Sequence, residues 1–266
     1  MENRKKKFIR ELSEKSKVRK ESGLFVVDGP KMCGEIPSAL AEEIYVTEEF
    51  LASPHVNICE RILREHSFET VTTQDMQKMS DTVTPQGILA VVRQKRAKTV
   101  KELLETEEEP LILITETIQD PGNLGTMIRA AEAAGATGIL LNDMTVDPYS
   151  PKVVRSTMGS IFRVPFTVVS DLPRVVKDMA SGVYGNGPVN VVATDLSAAK
   201  SYREVDYRKP TAILIGNESK GLSGEIKELS TERVIIPMCG KVESLNAAMA
   251  ATILMFEASG ERRRHG

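Results

Sequence analysis

At 266 residues with 41% hydrophobic content, the chain is long enough for one large domain or two ordinary ones with filled cores. A formal net charge of -2 with 27% charged residues excludes a globally basic nucleic-acid binder, so any affinity for a polyanion must come from local clusters. Cys33, Cys59 and Cys239 are scattered and lack C-x-x-C spacing, which argues against a disulfide framework or a zinc site and fits a reducing cytoplasm.

The first twenty residues hold nine Lys or Arg against three Glu. This predicts a basic helix, read either as a solvated face or as a polyanion contact through Lys5, Lys6, Lys7 and Arg10. No apolar run follows these lysines and no stretch of about 18 apolar residues occurs, so the expectation is a soluble protein with neither signal peptide nor membrane span. Between residues 23 and 94, GLFVVDGPKMCGEIPSAL, EEIYVTEEF, FETVTT and GILAVVRQ alternate short β-rich runs with helical stretches. They predict a small α/β module over residues 1–96.

KTVKELLETEEEP, residues 98–110, predicts a charged helical connector ending in a proline. The boundary is placed there, with a linker at 97–110 and a second domain at 111–266. In that domain LILIT, GILLN, VPFTVV, VNVVATD, AILIG and RVIIPM (233–238) recur with helix-like segments between most of them. Such a pattern is expected of a parallel sheet covered on both faces. The first of these helices carries Leu124, Met127, Ile128 and Ala131 on one face, with Gly135 as its stop, so Arg129 projects away from the buried stripe.

Three segments of the second domain follow apolar strands and pack small or polar residues into turns: NLGTMIR (123–129), GNESKGLS (216–223) and PMCGKVESLNAA (237–248). Loops at the carboxyl ends of parallel strands are where open α/β sheets bind ligands. Each also has a structural explanation, because Asn123, Asn217, Ser223 or Ser244 can simply cap a helix and Arg129 can pair with Glu132. The first turn lacks G-x-G-x-x-G, and the second has Leu222 where a phosphate-binding loop needs its lysine, so neither a dinucleotide nor a nucleoside triphosphate is expected. His55, His66 and His265 lie outside these segments, and neither a histidine triad nor a metal site is expected.

With these motifs in order, the chain resembles the SpoU (TrmH-like) family of RNA ribose 2′-O-methyltransferases in the SPOUT superfamily. The resemblance rests on QDPGNLGTMIRAAEAAG (119–135), LIGNESKGLS (214–223) and VIIPMCGKVESLNAAMAATILMFE (234–257), with VDPYSPKVVRSTMGSIFRVP (146–165) also typical. FVVDGPK and QGILAVVRQ resemble the family's N-terminal RNA-binding module, which is like a ribosomal protein. The resemblance implies a parallel-sheet methyltransferase domain threaded as a trefoil knot, preceded by that small α/β module. It also implies S-adenosylmethionine as methyl donor and a cytoplasmic homodimer whose active site lies near the subunit interface.

Carried residue by residue, the resemblance makes Gly216, Ile236 and Leu245 cofactor-binding positions, with Met238 and Thr194 as neighbours. It makes Arg129 the principal catalytic side chain, Asn123 and Glu218 its orienters, and Ser244 with Asn246 the organisers of the third loop. Arg155 is a candidate contact to RNA phosphate. An arginine side chain stays protonated to high pH, so stabilising a developing alkoxide suits it better than proton abstraction, although a neutral guanidine base stays open. The expected activity is 2′-O-methylation of ribosomal RNA. The alternatives are a tRNA 2′-O-methyltransferase, a base methyltransferase, and a catalytically silent RNA-binding or assembly protein on the same scaffold.

Overall fold

The apolar runs become strands, and the most central of them are buried on both faces. In a computed structural model of the chain, which describes residues 2–185 and 187–265, the strands after residue 110 form one sheet. They are β5 (Leu111–Thr115), β6 (Gly138–Asn142), β7 (Phe166–Val169), β8 (Asn190–Thr194), β9 (Thr211–Ile215) and β10 (Glu232–Val234). Their order is β10-β8-β9-β5-β6-β7 and every pairing is parallel. All five residues of β5 and of β9, the two central strands, are buried, as unbroken apolar runs require.

The helices that go with this sheet are α7 (Val100–Leu104), α8 (Pro121–Ala134), α10 (Leu172–Ala180), α11 (Gly224–Leu229) and α12 (Ala247–His265). Helix α8 starts where the Asp120 side chain accepts from the Asn123 N–H at 2.8 Å, with Pro121 in its first turn. It stops at Gly135, whose φ of 77° is the left-handed conformation that a helix C-terminus commonly takes. Leu124, Met127, Ile128 and Ala131 are all buried along it and Arg129 is exposed. The strand expected at 233–238 is shorter than its apolar run. Ile235 makes only an isolated bridge to Ser201, and Pro237 has no N–H to continue a ladder.

The other sheet has the order β1-β4-β2-β3, built from β1 (Leu24–Asp28), β2 (Ala41–Val46), β3 (Glu69–Thr70) and β4 (Ile88–Arg93). Helices α1 (Asn3–Glu14), α2 (Ser16–Ser22), α3 (Pro30–Gly34), α4 (Glu48–Leu51), α5 (Glu60–Glu65) and α6 (Thr73–Met79) accompany it. Ile9 and Leu12 of α1 join Val26, Tyr45, Met76, Leu89 and others in one core, so the basic N-terminal segment is an amphipathic helix packed on this module.

The two compact units are residues 1–96 with 147–162, and residues 97–146 with 163–266. This corrects the sequence-based boundaries twice. Residues 97–110 are not a linker: Thr99 and Glu102 form a capping box for α7, and Val100, Leu103 and Leu104 are buried in the core with Ile112, Leu140 and Leu214. Residues 147–162, which carry α9 (Pro151–Thr157), pack with the N-terminal module instead of the second domain. Buried Arg19 of α2 holds Asp147 Oδ2 through Nε at 2.8 Å and Nη2 at 2.7 Å, while its Nη1 donates to the carbonyls of Leu12 and Ser13. The Phe25 ring packs 4.8 Å from that of Tyr149.

Leu103 separates the two readings of residues 97–110. A linker leucine would tolerate truncation, whereas one that is 0% exposed should cost about 2–5 kcal/mol on Leu103→Ala. Urea denaturation of the full chain measures this, and an unchanged midpoint would contradict the packing described.

Candidate active site

Neighbouring parallel strands β10, β8 and β9 end at Val234, Thr194 and Ile215, and the chain leaving each of them lines one cavity of about 240 Å³. Thr194, Gly216, Ile236, Met238 and Leu245 all face it, with Glu218 and Ser244 among the polar groups on its walls. Segment 236–246 is irregular, so its backbone N–H and C=O groups are not consumed by a ladder. Apolar side chains backed by main-chain donors and acceptors suit a planar heterocycle with a polar edge.

The turn after β9 is closed by reciprocal backbone bonds between Asn217 and Gly221, at 3.1 and 2.9 Å. The Asn217 Oδ1 accepts from the N–H groups of Ser219 and Lys220, and Gly221 takes a φ of 67°. Gly216 has to be glycine for a different reason. A Cβ there would sit 2.2 Å from the Gly221 carbonyl carbon and the Leu222 nitrogen, so no side chain fits.

A chain of hydrogen bonds joins three segments far apart in sequence. Asn246 Nδ2 donates to Asn123 Oδ1 at 2.9 Å, and Asn123 Nδ2 donates to Glu218 Oε1 at 3.1 Å. The Glu218 carboxylate also accepts from the N–H groups of Gln119 and Asp120, at 3.3 and 3.1 Å. Asn246 Oδ1 in turn accepts from the N–H groups of Ala248 and Met249, capping α12. The start of α8, the turn after β9 and the start of α12 are thus one polar unit beside the cavity. Arg129, less than two turns beyond Asn123 on α8, is exposed and makes no hydrogen bond or ion pair among the described residues. Glu132, its possible helical partner, instead accepts from Arg163 at 2.9 Å.

These loops and strands match known proteins along the whole chain. Residues 110–256 match the profile of the SpoU rRNA methylase family, and residues 3–90 match that of an MRM3-like substrate-binding domain. The chain belongs to the SpoU rRNA methylase family. It is an RNA methyltransferase, with S-adenosylmethionine as its methyl donor. It is 33% identical over 263 residues, 97% of both chains, to the 23S rRNA (guanosine(2553)-2′-O)-methyltransferase RlmP of Bacillus subtilis. The SpoU methyltransferase AviRb of Streptomyces viridochromogenes, solved with AdoMet, has a similar structure at a TM-score of 0.86, 27% identity and full coverage of both chains. An AdoMet-bound rRNA methyltransferase from Sinorhizobium meliloti gives 0.80 at 31% identity, covering 99% and 96%.

In this SpoU methylase the basic candidates of the N-terminal module are mostly engaged internally. Lys5 pairs with Glu43 at 3.2 Å, Lys6 with Asp75 at 2.6 Å and Arg10 with Glu14 at 2.5 Å, whereas Lys7 is exposed and forms no ion pair among the described residues. Arg155 donates to Asp81 at 2.7 Å. Among the described residues no group of three or more His, Cys, Asp or Glu could hold a metal ion, and no helix is long and apolar enough to cross a membrane. Sequence reasoning missed Asp195 and Lys227, which pair at 3.2 Å on the cavity wall, and Asp120, whose N–H helps hold Glu218. The D-P preceding the asparagine of the first motif was the available signal for Asp120, as an N-cap followed by an N1 proline.

Desolvation pushes the Glu218 carboxyl upward, but the bonds from Asn123 and from backbone N–H groups outweigh it and hold the group below the usual carboxylate range. A carboxylate depressed in the folded state adds stability above its unfolded value and loses it as pH falls through the folded one. The stability advantage of the native protein over Glu218→Gln should therefore be full at pH 6 and shrink toward pH 3. Urea midpoints at the two pH values measure it, and identical acid sensitivity of both proteins would contradict the network.

Proposed function

We propose that this chain methylates a ribose 2′-hydroxyl of ribosomal RNA, with the cavity behind Gly216, Ile236 and Leu245 receiving the donor and Arg129 serving the acceptor. The observation that carries this reading is the Asn246–Asn123–Glu218 chain, which ties the helix bearing Arg129 to the turn that walls the cavity. When bound, S-adenosylmethionine supplies a methyl carbon activated by the adjoining sulfonium charge.

The residues divide the remaining work. Ile236, Met238 and Leu245 would pack on the faces of the adenine, main-chain groups of the 216 and 236–245 segments would meet its edge, and Thr194 closes the wall. Asn123 and Glu218 orient the acceptor side, and Ser244 and Asn246 fix the third loop at the head of α12. The Arg129 guanidinium, unengaged by described residues, would stabilise negative charge growing on the 2′-oxygen as that oxygen takes the methyl carbon, the methyl–sulfur bond breaks to leave a neutral thioether, and the hydroxyl proton leaves to water. Displacement at so reactive a methyl group needs orientation more than further activation of the carbon, and no metal enters the scheme.

For the rest of the assembly, we infer a trefoil-knotted second domain. The family supports this, as does the return of segment 236–246 to α12, which packs on α8, β5 and β9. Met249 and Phe256, 57% and 44% exposed and two turns apart on α12, form an apolar stripe suited to a second copy, and we infer a homodimer. A single monomeric species in sedimentation at micromolar concentration would remove it. The N-terminal module would bind the RNA, with Lys7 the readiest contact and Lys5, Lys6, Arg10 and Arg155 reaching phosphate only by exchanging their carboxylate partners. The setting is the cytoplasm, where reduced Cys33, Cys59 and Cys239 persist.

Arg129→Ala should abolish transfer of labelled methyl to RNA while calorimetry finds cofactor affinity nearly unchanged. Lysine should restore only part of the rate, because it lacks the planar fork that can contact the hydroxyl and an orienting side chain together. One 2′-deoxynucleotide at the target should stop the reaction. Continued methylation of that RNA would indicate base methylation and contradict the proposal.

A further inference from the structure

The loop between β5 and α8 holds an unusual residue. Thr117 has a φ of 59°, in the left-handed region where a β-branched side chain is strained and persists only when its surroundings hold it there. The surroundings are the side chain of Asn142, the last residue of β6. Its Oδ1 accepts from the Thr117 N–H at 2.7 Å and its Nδ2 donates to Thr117 Oγ1 at 3.0 Å, so one amide grips both ends of the threonine. Thr145 completes the brace, donating to the same Oδ1 at 2.7 Å and accepting from the Ile118 N–H at 3.2 Å.

What the brace aims is the cavity turn. The Thr117 carbonyl accepts from Asn217 Nδ2 at 2.9 Å, and the neighbouring Glu116 carboxylate accepts from the Ser223 N–H at 2.8 Å. The N–H groups that follow, those of Gln119 and Asp120, point at Glu218. Were Thr117 to relax to a negative φ, its carbonyl would turn away from Asn217 and the two N–H groups would leave the Glu218 carboxylate. The turn that walls the cavity would then lose its anchors on the β5 side.

We propose that Asn142 is a positioning residue for methyl transfer: by holding Thr117 left-handed it sets the turn at residues 216–222 in the shape that receives the cofactor. This rests on reading the cavity as the cofactor site. Asn142 does not line the cavity, so its effect passes through Thr117 and Asn217.

The brace predicts a specific rescue. Glycine adopts a positive φ without support, so a chain with glycine at position 117 has no need of Asn142. Calorimetry with S-adenosylmethionine on the full chain should find binding weakened about tenfold in Asn142→Ala, a loss of about 1.4 kcal/mol. It should be near wild type in Thr117→Gly and restored to within about twofold in Asn142→Ala/Thr117→Gly. RNA affinity should be the same throughout.

If Asn142→Ala binds cofactor like wild type, or glycine fails to restore it, the proposal is overturned. A fall in RNA affinity parallel to that in cofactor affinity overturns it too, since that marks general loss of structure. Ile236→Asp, placing a charge in the cavity, is the control on the underlying reading. If it leaves cofactor binding intact, the cavity assignment fails and takes this proposal with it, whereas loss of binding there confines any failure to Asn142.

Discussion

Much of the second domain's site depends on one carboxylate. Glu218 sits on a turn after the central strand β9, where nothing in the sheet would fix its direction, yet it accepts from two successive backbone N–H groups and an asparagine amide. Those donors belong to the loop and first turn after β5, the strand beside β9. Two adjacent parallel strands thus become rigidly joined beyond their carboxyl ends, where the sheet's own ladder stops. Each bond is modest, about 0.5–1.5 kcal/mol net, and several meeting on one ionised group fix its geometry far better than any one alone.

From that constraint the site follows. Asn123 is held with its Oδ1 turned to Asn246, which makes it a relay between Glu218 and the cap of α12. The cap places the segment carrying Ser244 and Leu245 over the cavity, and α12 then packs along α8, the helix of Arg129. A single arrangement therefore shapes the proposed cofactor wall and presents the one arginine of α8. Gly216 permits the closeness involved, since its missing side chain lets two backbones meet.

The sheet was legible from sequence because its central strands are buried on both faces, which writes itself as LILIT and AILIG. Helix α8, though its Asp-Pro start was overlooked, was legible from its apolar stripe and glycine stop. The unit boundaries were not, for physical reasons. In KTVKELLETEEEP the charges dominate the text, while the two buried leucines and the capping box decide the structure. Asp147 reads as part of the second domain until Arg19, 128 residues earlier, closes on it. Lys5 and Lys6 of α1 read as free charge because Glu43, Glu69 and Asp75 reach them only through tertiary structure. The three polar motifs pointed to a candidate site, but that Asn123 would touch both Glu218 and Asn246 could come only from coordinates. Thr117 gave no signal, threonine being among the last residues expected at a positive φ.

The central claim is that Asn123 and Asn246 act as one unit with Glu218. Single-turnover methyl transfer in a double-mutant cycle tests it directly, using Asn123→Ala, Asn246→Ala and the pair. If the amides form a relay, either substitution breaks it, and the double variant should be hardly slower than the worse single one. Losses that simply multiply would show two independent residues, contradicting the account.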